Sequence, residues 1–167
     1  MIYLLHKIDL SERKLRILYE GSDKTIKFAA DELSRCLRTM TDDDEILPTD
    51  IRLGTYADLR LTETVSSIAE SVSDSIYISF LDGIGIISGS NPRSILIAAY
   101  RFLSELGCRW IRPGAEGEYI PKINSLPDMF ITETASYKHR GVCIEGYTGI
   151  DHMLAMIDWM PKIGFNT

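Results

Sequence analysis

Apolar residues in this chain recur at two periods. Over residues 13–21, RKLRILYEG, Leu15, Ile17 and Tyr19 fall on one side of an alternating pattern, which predicts a strand. The period then lengthens. Ile26, Ala29, Ala30, Leu33, Leu37 and Met40 share one helical face, Lys27, Asp31, Arg35 and Arg38 lie mostly off it, and Ser22 or Asp23 can cap the helix. TDDDE, residues 41–45, reads as a solvated loop. An EF-hand is excluded there because the downstream glycine and the terminal glutamate are not at the required spacings. Residues 50–56, DIRLGTY, predict a second short strand, and Leu61, Val65, Ile68 and Val72 a shorter helix. Residues 75–89, SIYISFLDGIGIISG, are two apolar-rich strands around Asp82-Gly83, a hairpin signature.

SNPRSILIAAYRFLSELG follows, with Asn91 as N-cap, Pro92 at the first helical position, where its missing N–H is harmless, and Ile95, Ala99, Phe102 and Leu106 as the buried stripe. Gly107 can take the left-handed conformation that ends it. CRWIRPG and EYIPK predict two short strands around a loop with Pro113, Gly114 and Gly117, and residues 124–136 read as a connection. This order predicts an α+β fold, an α/β sandwich in which two main helices cover one face of a mixed sheet. From Tyr137 the pattern restarts: YKHRGVCIEG as a strand, then a helix capped by Asp151, tightened at Pro161 and stopped at Gly164, with residues 165–167 beginning another strand. Strand, helix and strand form a βαβ opening. The expected organisation is therefore an α/β domain over 1–123, a linker over 124–136 and a truncated β/α unit over 137–167, together an N-terminal piece of a larger protein.

The composition is that of a globular chain, with 45% hydrophobic and 25% charged residues. A net charge of −6 makes a nucleic-acid or anionic-membrane surface a poor expectation. No apolar run approaches the ~20 residues that span a bilayer. The N-terminus, MIYLLHKIDLSERK, has no basic segment before its apolar start and no small-residue cleavage site. Cys36, Cys108 and Cys143 are odd in number and far apart, as expected of reduced thiols in the cytoplasm, although a secreted chain with its leader removed would look the same.

Two stretches carry a family resemblance. NPRSILIAAYRFLSELGCRWIRPGAEGEYIPK resembles the small domain that precedes the catalytic barrel in β-N-acetylhexosaminidases of glycoside hydrolase family 20, to which the equivalent domain of α-glucuronidases is a close relative. YKHRGVCIEG and MLAMIDWMPKIGFNT resemble the first strand and helix of their (β/α)8 barrels. The resemblance, in order over residues 13–167, implies an accessory α/β domain followed by the opening unit of a TIM barrel. In family 20 an Asp-Glu pair after the fourth barrel strand does the chemistry, the substrate's acetamido oxygen acting as nucleophile. That pair would lie downstream, so no catalytic residue is expected within this chain, and its carbohydrate substrate would be reached through the missing barrel. Arg140 matches the arginine that those enzymes use to hydrogen-bond sugar hydroxyls, and Glu145 stands where they usually have an aspartate, at the active end of the first strand. The Arg-His pair that follows in the family is replaced by GYTG, which leaves room for a glucuronidase-like or other glycosidase activity.

Other readings compete. Arg140 and Glu145 have opposite strand parity, so both can point inward only across a bulge; otherwise Arg140 is a structural ion-pair residue and Glu145 a surface carboxylate. Residues 83–92, GIGIISGSNP, could be a phosphate loop, but no lysine stands at the Walker position and turn and cap chemistry accounts for the glycines. His139 and Cys143 are ~13 Å apart along a strand, too far for a hydrogen bond. His6 and His152 are isolated, no CxxC or HxxxH spacing occurs, and no metal or cofactor is expected. Trp110 and Tyr119 could stack on a sugar, as in a free-standing carbohydrate-binding module, but Trp110 more readily fills a seam between domains, and a ligand-free structural or interaction module is a further alternative. Residues 151–165 present an apolar face expected to self-associate or dock on a neighbour.

Overall fold

Alternation along the strands and the 3.6-residue stripes along the helices meet in one core. The computed structural model describes residues 15–41, 49–65, 73–144 and 149–166. Five strands, β1 (Arg16–Tyr19), β2 (Asp50–Thr55), β3 (Ser75–Leu81), β4 (Ile84–Gly89) and β7 (Met129–Thr134), form a mixed sheet in the order β1-β2-β4-β3-β7. β1–β2 and β2–β4 are parallel, and β3 runs antiparallel to both β4 and β7. A two-stranded ribbon joins β5 (Arg109–Trp110) to β6 (Glu118–Tyr119). The helices are α1 (Lys24–Met40), α2 (Pro92–Glu105) and α3 (Ile150–Trp159), the last continued by a 3-10 turn over Met160–Ile163.

Helices α1 and α2 lie on one face of the sheet. Leu33 from α1, Ile51, Ile78 and Ile87 from the strands and Ile95 and Phe102 from α2 are buried in a single cluster. Each such side chain contributes on the order of 1.5–3 kcal/mol of burial energy before chain entropy is subtracted. The register makes this possible, because pairing Leu53 with Ile87 and Ile78 with Ile131 keeps apolar rows on the helix side. The other face carries exposed Leu18, Leu81, Ile84 and Phe130, with Tyr77 and Phe130 in an edge contact at 5.5 Å.

The expected helix ends follow their chemistry. Asp23 accepts from the Thr25 N–H at 2.7 Å, and Asn91 Oδ1 from the Ser94 N–H at 3.0 Å. At the end of α2, Gly107 has φ 99°, its N–H donates to the Ser104 carbonyl and the Cys108 N–H reaches back to Leu103, a Schellman arrangement that only a residue tolerant of positive φ closes cheaply. The hairpin turns at Asp82 and Gly83 as the alternation predicted, both with positive φ.

Some expectations are corrected. Residues 124–136 are not merely a connection, since β7 lies within them and pairs with β3 from Ser75↔Thr134 to Phe80↔Met129. An edge strand meets the core with only half its side chains, here Met129 and Ile131, which leaves little apolar signal in the sequence. Residues 137–144, expected as a strand, form none among the described residues, because no neighbouring strand there supplies a ladder. Helix α3 is capped at Gly149 rather than Asp151, which sits in the first turn where the helix dipole favours its charge. Asn166 folds back onto Arg140 and extends no strand. Of the helix expected over 61–72, residues 62–65 form a turn in which the Val65 N–H donates to the Leu61 carbonyl. The rest of that helix, residues 42–45 of the acidic loop, the N-terminal segment with His6, and Glu145 lie outside the described residues.

Phe102, fully buried and in edge contact with Phe80 at 5.5 Å, tests the core. Phe102→Ala should lower unfolding free energy by about 3–5 kcal/mol in chemical denaturation.

Candidate functional site

The most connected polar group among the described residues is Asp74, immediately before β3. Its side chain is 3% exposed, a burial that an ionised carboxylate tolerates only when its lone pairs are met by donors. Its two oxygens divide that task. Oδ1 accepts from the first turn of α2 and its cap: Asn91 Nδ2 at 3.0 Å, the Arg93 guanidinium at 2.9 Å and Ser94 Oγ at 3.1 Å. Oδ2 accepts from the closing segment (137–144 and 149–166): the Arg140 guanidinium at 2.9 Å and Asn166 Nδ2 at 2.6 Å. One carboxylate thus clasps the α/β body to two points of the closing segment, Arg140 and Asn166. Burial pushes the Asp74 carboxyl upward, but the hydrogen bonds from Arg93, Asn91, Asn166 and Arg140 outweigh it and hold the group well below the ordinary carboxylate range.

Arg140 is itself enclosed by backbone. Its Nε donates to the Gly164 carbonyl at 2.9 Å and its other terminal nitrogen to the Tyr137 carbonyl at 2.7 Å. Its own N–H donates to Asn166 Oδ1, and the Asn166 N–H donates to the Arg140 carbonyl, both at 2.8 Å. Gly164, with φ 86°, turns the chain after the 3-10 helix so that Asn166 arrives beside Arg140. Of the two residues that the resemblance singled out, Arg140 therefore enters an ion pair with Asp74, and Glu145 falls outside the described residues. Nothing in the sequence paired Asp74 with Asn166: Asp74 sits in no motif, Asn166 lies in the stretch that resembles a barrel helix but was not singled out, and the two are 92 positions apart.

A second anchor runs through the tryptophans. Trp159 of α3 donates its indole N–H to the Trp110 carbonyl at 2.8 Å, and Trp110 donates its own to Glu118 at 2.8 Å. Glu118 takes two hydrogen bonds from Arg35, which also pairs with Glu32, while the Tyr100 hydroxyl donates to Glu32 and its ring meets Trp110 edge-on at 5.1 Å. Arg35 drives the Glu118 carboxyl below its usual value against the opposing effect of burial. Burial and the neighbouring Glu32 push the Tyr100 phenol up, so it stays a donor. Trp110 is buried and fills the seam against α3, so it offers no stacking face to pair with exposed Tyr119.

The remaining candidates are structural in setting. Gly83 ends the β3–β4 turn and Gly85 is in β4, and the first turn of α2, where a phosphate loop would present its donors, faces Asp74. Cys36 and Cys108 are buried in the core. Among the described residues there is no cluster of three His, Cys, Asp or Glu side chains fit for a metal, and no helix long and apolar enough to cross a membrane. No family model matches the chain, and no curated protein matches it.

The clasp makes a pH prediction. A carboxyl depressed in the folded state stabilises fully above its unfolded value, about 3.9, and that stabilisation drains away as pH falls below it. Protection factors over 137–144 and 149–166, that is exchange corrected for its intrinsic pH dependence, should therefore stay constant from neutrality to about pH 4 and fall below it. Asp74→Asn, which leaves two guanidiniums without their anion, should lose about 3–5 kcal/mol at neutral pH and flatten the acid dependence. Unchanged exchange in that variant would show that the clasp does not hold the segment.

Proposed function

We propose that this chain is a non-catalytic accessory domain of a glycoside hydrolase, family 20 hexosaminidase-like or α-glucuronidase-like, whose closing segment is the first β/α unit of the catalytic barrel. The observation that carries this reading is the pairing of Arg140 with Asn166 across helix α3. In a βαβ unit the first strand and the start of the next lie side by side with the helix between them, and the Asn166 N–H to Arg140 carbonyl bond is the contact such neighbours make. Further support comes from surfaces that have no described partner. Ile150, Leu154 and Ile157 of α3 are 67%, 58% and 60% exposed, and Val142 and Ile144 also face solvent. Such residues are expected where more of a barrel wall packs against them.

On this reading the clasp ties the accessory domain to the barrel's opening strand, so the domain buttresses the barrel and sets the position of its first unit. Arg140 would contribute to the innermost sugar pocket only after exchanging or sharing the bonds that now occupy it, and Asp74 is the group that orients it. Carbohydrate would be met by the barrel. This chain alone would have no turnover, and its bare apolar face, residues 151–165, would self-associate.

Assays against nitrophenyl glycosides, the N-acetylglucosaminide and the glucuronide among them, should show no hydrolysis by this chain; turnover of either overturns the reading. Light scattering should give a concentration-dependent mass above that of one chain, reduced to the monomer by Ile157→Glu. A wild-type chain that stays monomeric at every concentration, with 137–166 open to protease, counts against an unfilled barrel face.

A further inference from the structure

Beside the clasp, between α2, β7 and the 3-10 turn after α3, lies a cleft of about 500 Å³. That is the size of a small-molecule site. Ile76, Ile97, Trp110 and Pro161 give it apolar lining. Its charged lining is unbalanced, with four cations, Arg101, Arg109, Arg140 and Lys162, against two carboxylates, Asp74 and Glu133. In a chain of net charge −6 a positive cleft is not what the average surface supplies.

The cations differ in how far they are committed. Arg101 pairs with Glu133 and Glu105, and Lys162 with Asp158. Arg140 shares Asp74 with Arg93, so two guanidiniums stand on one carboxylate and a positive excess remains. Arg109 has no acidic partner among the described residues. One terminal nitrogen donates to the Ser104 and Cys108 carbonyls, both at 2.7 Å, which moors the side chain at the end of α2. Its Nε and second terminal nitrogen make no hydrogen bond to any described residue. A guanidinium moored by one nitrogen and unengaged at the other two presents a planar pair of donors, the geometry that carboxylate and phosphate oxygens accept.

We propose that this cleft binds a small organic anion, its carboxylate or phosphate head taken by Arg109 and its apolar or ring body lying against Ile76, Ile97 and Pro161. The proposal does not depend on the accessory-domain reading; Arg140, which that reading directs at sugar hydroxyls, lines one side of the cleft, and the anion is placed on Arg109.

The test uses benzoate and phenyl phosphate as probes, with benzyl alcohol and benzylamine as neutral and cationic counterparts of the same ring. Trp110 lines the cleft and Trp159 is bonded to its carbonyl. As these are the chain's two tryptophans, intrinsic fluorescence reports there. Both anions, or one of them, should give a saturable change that weakens at high salt, while the alcohol and amine give none. Arg109→Gln should weaken anion binding about tenfold. Ser104→Leu, which narrows the cleft and keeps the backbone carbonyl that moors Arg109, should weaken it in a variant that still unfolds cooperatively. Tighter binding of phenyl phosphate assigns the site to phosphate monoesters, and tighter binding of benzoate to carboxylates. No saturable response to either anion, an equal response to benzyl alcohol, or undiminished binding by the folded Arg109→Gln and Ser104→Leu variants overturns the proposal.

Discussion

Burying a carboxylate is among the more demanding things a protein does with a charge, since the desolvation must be offset by donors fixed in place before the charge arrives. Asp74 meets that demand by drawing on both halves of the molecule. Its Oδ1 takes the cap and first turn of α2, and its Oδ2 takes Arg140 and Asn166. Neither set alone covers both oxygens. The attachment of the closing segment to the α/β body at this end is for that reason centred on one side chain, with the Trp159–Trp110 bond as a second anchor, and the position of Arg140 follows from the clasp.

Around that clasp the molecule is asymmetric. The helix-covered face of the sheet is sealed by a single apolar cluster, whereas the opposite face and the outer surface of α3 keep large apolar side chains in water. A core that is complete on one side explains why the α/β body can hold its shape. The exposed face of α3 has a different meaning. Ile150, Met153, Leu154 and Ile157 recur at helical spacing, yet among the residues of α3 only Met156 is buried. A stripe of that kind is built to be covered, and the accessory-domain reading names a barrel wall as the cover.

Much of the fold was legible along the chain. Helices α1 and α2 and the β3–β4 hairpin announced themselves because each carries a full period of apolar positions together with a local boundary signal, the N-caps Asp23 and Asn91 and the stop Gly107 for the helices and Asp82-Gly83 for the hairpin. Strand β7 did not, because an edge strand exists by virtue of β3 beside it and shows the core only Met129 and Ile131. Residues 137–144 failed in the opposite direction. Their apolar centre reads as a strand, but a strand requires a ladder to a neighbour's backbone, and the single bond from the Asn166 N–H to the Arg140 carbonyl does not make one. At the candidate site, Arg140 was singled out by the family resemblance alone, while its partner Asp74 lies 66 positions away in an unremarkable serine-rich stretch.

By itself, then, the sequence determined what depends on neighbours three or four positions away: the helices, their caps, the hairpin turn, and the mixed α+β class that follows from their order. Tertiary structure alone decided which carboxylate would be buried, that Arg140 would be spent on it, that Asn166 would return to the same point, and that Arg109 would be left facing a cleft with donors to spare. The physical reason is one of range. Backbone hydrogen bonds and apolar periodicity act between residues close in the chain, whereas a buried charge and its donors are selected by proximity in space, which no local pattern encodes.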